Sequence, residues 1–543
     1  MADLRLRPLA AVLLVVLIGI PIARLLGVAL GDGPTVVAAT LTDSRVAGAI
    51  GNSLWTAALV ALLATSGGTA LALATERAGL PGTAWIRAGI LLPLLCPPFV
   101  TAFGWTRAYG PRGLTDQALG IELPGLYGPL GIVLVLAVAA APLAWLIVAG
   151  ALASRLEPDL ERAARAAGAG PGTTLRTVTL PLLRPAILSA LVVTFVFAVN
   201  AFGVPAILGT PAGFATITTR MYQDLARSAD PAAFVEAGIL AATLVALALL
   251  VVGPADAWLT GRAAARTAET AGGRGARVPG GGRGARGSRA RSIAAAGIGL
   301  GFVLLTLLPL CAVLLTALTR AVGLAPVPGN WTLANFGEAL DARFGDALAT
   351  SLLLAAAAAT IVLPLGALLA VLAGRSRTRG GNVLRTAATL GFALPGSALA
   401  VAVLLAYGGW LRDTLAIILV AYLAKFWALG QRQVAGSLER LPADALRAAR
   451  ASGAGGWTAV RTIGAPLLRP SLLAGWIVVF LFALHELTMS SLLYGPRSAT
   501  LSVVVLNAQQ LGDPTVSAAL AVLLVGLIAV IALPLAFMAR ART

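Results

Sequence analysis

"AARAAGAGPGTTLRTVTLPLLRP" occupies residues 163–185, and "AARASGAGGWTAVRTIGAPLLRP" returns without a gap at residues 448–470. Both copies open on an alanine pair, repeat two glycines at the same places and close on P-L-L-R-P. The match extends outward: residues 155–188 and 440–473 agree at more than half of their positions. Two arginine-bearing, glycine-hinged copies therefore sit in a chain that is otherwise close to oil.

That background fixes the class. The 543 residues are 58% hydrophobic and only 11% charged, with a mean hydropathy of +0.90. Soluble domains carry about 25% charged residues. Long apolar runs explain the deficit, because a helix needs about 20 apolar residues to cross the hydrocarbon core. Hydropathy predicts spans near 9–30, 50–75, 88–108, 129–151, 185–208 and 233–258. A second set falls near 293–319, 345–373, 386–408, 413–435, 471–494 and 515–538. The N-terminal stretch resembles a signal peptide but lacks a small-residue cleavage site, and it reads as an uncleaved first span. With both termini in the cytoplasm, most loop arginines fall on the cytoplasmic side, as the positive-inside rule requires.

The net charge of +18 is almost all arginine, Lys425 being the only lysine. Basic patches interleaved with aromatic residues are absent, which argues against nucleic acid as a partner. Cys96 and Cys311 lie in apolar segments, so no disulfide framework is expected. Residues 259–292 are rich in glycine and arginine, without apolar periodicity, and read as a flexible cytoplasmic linker. They separate a first transmembrane domain, 1–258, from a second, 293–543. Each half has an even number of predicted spans. The repeats are therefore parallel, with a pseudo-two-fold axis along the membrane normal and a pathway between them.

Each duplicated loop falls between the fourth and fifth spans of its half. The pattern predicts helix, glycine turn, helix. Asp159 is placed to cap a first helix whose stripe is Leu160, Ala163, Ala164 and Ala167, with Glu161, Arg162 and Arg165 pointing elsewhere. Gly168 stands where a left-handed residue closes the helix. A second helix is predicted from about Thr173 until Pro181 and Pro185 redirect the chain. Asp444, Ala448, Ala449, Gly453, Pro466 and Pro470 repeat the arrangement. A lipid-facing amphipathic helix favours large apolar anchors, whereas this stripe is alanine. A small smooth knob suits a cleft on another protein.

The stretch resembles the "EAA" loop of binding-protein-dependent ABC importer permeases: E-A-A, three residues, G, nine residues, I, one residue, L-P. Ala163, Ala164, Gly168, Val178, Leu180 and Pro181 match it, as do Ala448, Ala449, Gly453, Ile463 and Pro466. Arg162 and Arg447 replace the glutamate, and Ala465 the leucine, while Glu161 stands beside Arg162 in the first copy alone. The resemblance implies an all-α polytopic membrane protein with two tandem six-helix halves, the type I ABC importer transmembrane fold, of about 12 spans. It also implies that the loops, with Arg165 and Arg450 inside them, seat in an ATP-binding subunit dimer. A binding protein outside the membrane would deliver the solute, in the inner membrane of a prokaryote. This chain has no phosphate-cradling G-x-x-x-x-G-K-[ST], its one lysine lying in "AYLAKFW". It is expected to be no enzyme and to hold no cofactor, ATP and magnesium belonging to the partner.

The fused halves and the stretch 485–513 are most similar to ferric iron permeases; thiamine, phosphonate and polyamine importers are the alternatives. His485, the only histidine, and Glu486 lie at the end of an apolar span, and Asn200 is the counterpart of His485 in the first half. Buried ionisable groups in membranes often mark pathways. These three residues are candidates to line one, against a plain polar pair bridging helices. One histidine and one carboxylate are too few for a metal site. Lys425, with Tyr422 and Trp427, is expected to snorkel to an interface, and Arg24 to do likewise. Pro97-Pro98 and Pro395-Gly396 are expected to interrupt the third and ninth spans. A secondary transporter, the rival from another class, would need charged midplane sites that are scarce here.

Overall fold

The computed structural model describes residues 2–155, 158–228, 230–267, 285–325, 327–340, 342–374, 379–438, 452–453, 458 and 460–540. Ten helices among them are long and apolar enough to cross a membrane, and two bent pairs raise the number to as many as 12. The all-α polytopic class is the one expected. In the first half α1 (Pro8–Gly31), α2 (Ser44–Arg77), α5 (Pro129–Arg155), α7 (Pro171–Val199) and α10 (Pro231–Thr267) are continuous. The third span is a pair, α3 (Thr83–Leu95) and α4 (Pro98–Tyr109), bent by 104°. Short helices α6 (Pro158–Ala166), α8 (Gly203–Leu208) and α9 (Ile217–Arg227) flank α7.

The second half repeats the order with α11 (Arg289–Ala317), α12 (Ala342–Gly374) and the pair α13 (Arg379–Ala393) and α14 (Gly396–Leu411), whose bend is 98°. Then follow α15 (Leu415–Leu438), α16 (Ala465–Leu484), α17 (Thr488–Leu493), α18 (Leu501–Gln510) and α19 (Pro514–Arg540). The prolines at 97–98 and 395 do interrupt these spans, since proline cannot donate to the turn before it. Two span ends move inward from the hydropathy estimate. Spans near 185–208 and 471–494 stop at Val199 and Leu484, where the backbone leaves the helix at Asn200 and His485. The helix backbone also runs from α10 to Thr267 and resumes at Ala285, so both ends of the segment read as a flexible linker are helical.

Pro181 and Pro185 do not redirect the chain as the sequence suggested. The helix runs through both, because a wide π-helical turn at Leu175–Thr179 precedes Pro181. A proline ring crowds the carbonyl four residues back, which here is that of Thr177, at the centre of the wide turn. Val15–Gly19 before Pro21, Val303–Leu307 before Pro309 and Val460–Gly464 before Pro466 repeat the device. Within the membrane the helix thus widens at these prolines and continues.

The first span of each half crosses to the other half. α1 packs on α14, α12 and α15, whereas α11 packs on α3 and α4. Two tyrosines clamp these arms. The Tyr109 hydroxyl at the end of α4 donates to the carbonyl of Leu304, and that of Tyr407 on α14 donates to the carbonyl of Val16. Both acceptors are second in their π-helical turns, so the halves grip one another reciprocally. Inside each half the tightest crossings use glycine. A Cβ on Gly68 would stand 2.7 Å from the Ala141 carbonyl oxygen, and one on Gly366 would stand 2.5 Å from the Gln431 nitrogen. Small residues allow this approach where no hydrophobic effect drives helices together. One core runs through both halves, from Phe99 and Phe103 to Val401 and Leu487.

If the reciprocal clamps hold the arms, Tyr109→Phe and Tyr407→Phe each lower stability by about 0.6–1 kcal/mol. Denaturant unfolding of the purified protein measures this. No change in either variant removes the clamp.

Candidate functional site

The first duplicated loop is built on α6. Its helix begins at Pro158, so Asp159 lies in the first turn and does not precede it as a cap; proline suits that first position because its missing N–H had no partner to find. The helix closes at Gly168, whose φ of 86° is left-handed. There the Gly168 N–H donates to the Arg165 carbonyl at 3.0 Å and the Ala169 N–H to the Ala164 carbonyl at 3.0 Å. These are the paired bonds of a glycine-terminated helix end. Gly453 takes the same conformation, with φ 78°, and Pro466 follows the matching wide turn. Asp444, Arg447, Ala448, Ala449 and Arg450 lie outside the described residues.

One face of α6 is pinned and the other is open. Glu161, expected to point away with the arginines, is buried at 7% exposure. Its carboxylate accepts from the Thr179 hydroxyl at 2.9 Å and pairs with Arg165 at 3.4 Å and with Arg77, at the end of α2, at 3.6 Å. The loop is thereby tied to the body on both sides. Leu160, Ala163 and Ala167 remain exposed, so the small apolar stripe is not used by this chain's own core. Arg162 is exposed and Ala164 half-buried, and Pro181 lies within α7, just after its wide turn. At the positions of Glu161 and Thr179 the second copy has Leu446 and Gly464, so the anchor's two members are absent together.

The breaks after α7 and α16 gather the remaining candidates. Asn200 ends α7 and His485 ends α16 at matching places. The Oδ1 of Asn200 and the Nδ1 of His485 are shielded from solvent and have no hydrogen-bond partner. Glu486 has a local task. Its carboxylate accepts the N–H groups of Met489 at 2.9 Å and Ser490 at 3.0 Å, which are otherwise unsatisfied at the start of α17. The Ser490 hydroxyl and the Tyr422 hydroxyl lie 2.7 Å apart. Lys425 does not snorkel to an interface. Its ammonium donates to the carbonyls of Phe392 and Leu394, left open where the ninth span breaks at Pro395. Tyr422 and Trp427 are likewise buried, each 1% exposed. The two halves meet here: a Cβ on Gly203 would stand 2.6 Å from that of Phe99 and 3.0 Å from a Leu487 methyl.

A charged group that sequence reading passed over lies on α9, which is too short and too polar to span. Arg220 bonds Glu236 at 2.7 Å and Asp224 at 3.3 Å. Ser53 holds the start of α9 by accepting the Ile217 N–H at 2.8 Å, and Ser351 does the same for Leu501 at 2.8 Å. The second half keeps that anchor but not the charges. Burial, with the nearby Glu236 carboxylate, pushes Asp224 up to about 7 from its usual 3.8, against the pull of Arg220 and Arg45. A carboxyl raised in this way favours the proton-bound folded state, so stability falls as pH rises through about 4–7 and then levels off. Asp224→Asn cannot ionise. Its thermal midpoint gains on the wild type's between pH 5 and pH 8, and parallel midpoints in a pH series would remove the assignment.

Comparison with known proteins places this geometry. The family model described as binding-protein-dependent transport system inner membrane component matches residues 5–255 and 363–541. A putative ferric transport system permease protein of Haemophilus influenzae is 26% identical over 480 residues, covering 85% of this chain and 72% of the relative. The ferric transport system permease protein of Actinobacillus pleuropneumoniae is 26% identical over 518 residues, covering 92% and 72%. A probable molybdenum ABC transporter permease protein of Haloferax volcanii is 33% identical over 173 residues, covering 32% of this chain and 62% of the relative. With a span order, paired helix breaks and a duplicated loop that agree with so extensive a match, the chain belongs to the binding-protein-dependent transport system inner membrane components.

Proposed function

We propose that this chain is the two-half permease of an ATP-driven importer that passes ferric iron from a solute-binding protein across the inner membrane, with both termini in the cytoplasm. The observation that carries the reading is the first duplicated loop: a rigidly anchored helix whose alanine stripe is left open. An ATP-binding subunit would receive α6, and a second would receive the copy around Gly453. ATP and magnesium act on that partner. Closing and opening of the ATPase pair would then bias two arrangements of the halves. Iron is favoured over molybdenum because the ferric relatives match along 85% and 92% of the chain, whereas the molybdenum relative matches 32%.

The path would run between the helix breaks, past Asn200 and His485, whose unpartnered polar atoms mark a matching pair of breaks where the two halves meet. Glu486 acts there as a positioning residue through its bonds to α17. Among the described residues no group of three or more histidine, cysteine, aspartate or glutamate side chains is placed to hold a metal ion. Such a path can pass a cation without holding it.

Gly168→Val and Gly453→Val each put a branched residue at a φ it resists. Both are expected to lower radioactive ferric iron uptake by at least about tenfold, the effect of roughly 1.4 kcal/mol at the docked loop, and to reduce co-purification of the ATPase. Undiminished uptake in a host without every candidate ATPase overturns the ATP-driven reading. His485→Ala is expected to slow uptake while co-purification stays intact, and unchanged uptake takes His485 off the path.

A further inference from the structure

The arms that cross between the halves do not meet equal partners. Where α1 lies against the second half, Ala10 and Leu17 form a closed cluster with Leu365, Leu369, Ala388 and the fully buried Trp427. The indole also fills the space beside Gly391, where a Cβ would stand 2.6 Å from it. Where α11 lies against the first half, the corresponding volume is open. A cavity of about 630 Å3 lies between α11, α3, α2 and α5. That falls within the roughly 300–1,000 Å3 of ligand pockets. In the register of the wide turns, Ile298, Gly301 and Leu305 take the places of Ala10, Leu13 and Leu17. In the register of the duplicated loop, Pro142 stands where the second half has Trp427.

The geometry points to a phospholipid acyl chain as the occupant, with an anionic head group at the membrane face that carries the duplicated loops. The helices that enclose the cavity are all spans or parts of bent spans, and its lining is almost wholly carbon. Trp85, 83% exposed, stands at the rim near the start of α3, the position of an interfacial tryptophan. The charges at that end are basic. Arg291, on α11, comes within 3.8 Å of where a Cβ on Gly79 would stand, just after α2. Arg289, two residues before Arg291, is exposed, and Arg87, two residues after Trp85 on α3, is held by Glu76 at 2.7 Å. Arg77, at the end of α2, ties this corner to the duplicated loop through Glu161. An acyl chain seated here completes, in the first half, the seam that an indole completes in the second.

Phosphatidylglycerol carrying a diazirine on one acyl chain, irradiated in vesicles with the reconstituted full chain, tests this. Label is expected on peptides covering 85–93 and 298–306. Pro142→Trp and Gly301→Leu, which copy the second-half side chain and the first-arm side chain, should each lower that label about tenfold, the loss that expelling two methylenes implies. Label on α1 should stay constant in both variants, which shows that the protein is still folded. Phosphatidylcholine of the same chains, and Arg289→Gln/Arg291→Gln with phosphatidylglycerol, should label the site several-fold less. Label spread evenly over lipid-facing helices, or indifferent to the filling variants, overturns the site. So does equal labelling by the two lipids, or a co-purified polypeptide that shields the groove.

Discussion

In hydrocarbon every backbone polar group must find a partner inside the protein, and the fold turns on how one kind of carbonyl is satisfied. Prolines in the first span of each half force a wide turn and turn carbonyls off the helical ladder. A tyrosine from the opposite half donates to one of them, Tyr109 to Leu304 and Tyr407 to Val16. A defect within one helix thus becomes the attachment of one half to the other. The core shared by the two halves and the paired breaks at Asn200 and His485 are held in register by these crossings. The same rule accounts for Lys425, whose ammonium covers carbonyls opened at the ninth-span break.

Upon that symmetric frame the chain places unlike chemistry. Glu161 and Thr179 anchor the first loop by a buried polar bond, while Leu446 and Gly464 occupy the same positions in the second. The charges of Arg220, Asp224 and Glu236 have no second-half counterpart, although the serine that anchors the matching helix is retained. Lys425, Tyr422 and Glu486 likewise belong to one side. Removing one member of a buried polar pair leaves the other unsatisfied, so such pairs are kept or lost together.

Much of this was legible in the sequence because the signals are local and dense. Apolar runs of twenty residues marked the spans, Pro97-Pro98 and Pro395-Gly396 the bent ones, and the duplicated loop both the repeat and the left-handed glycines at 168 and 453. Hydropathy weighs a residue's transfer from water, not its backbone's bonding, so it carried two spans beyond Asn200 and His485. Proline was read as a stop at Pro181 because propensities describe helices in water; in the membrane, widening costs less than exposing broken bonds. Glu161 turning inward, Lys425 reaching a helix break and Trp427 filling a cluster all depend on neighbours far away in sequence. The run "TTRMYQDL" could have revealed the charged face of α9, since Arg220 and Asp224 are four apart on a helix.

The reach of the tyrosine clamps also sets a schedule. Val16 leaves the ribosome well ahead of its partner, since the hydroxyl that grips it belongs to Tyr407, 391 residues later. At about 5–20 residues per second, synthesis takes on the order of 20–80 s to supply it. Through that interval the first arm rests in lipid with its widened turn unanswered. That helix is therefore made long before it is locked in place.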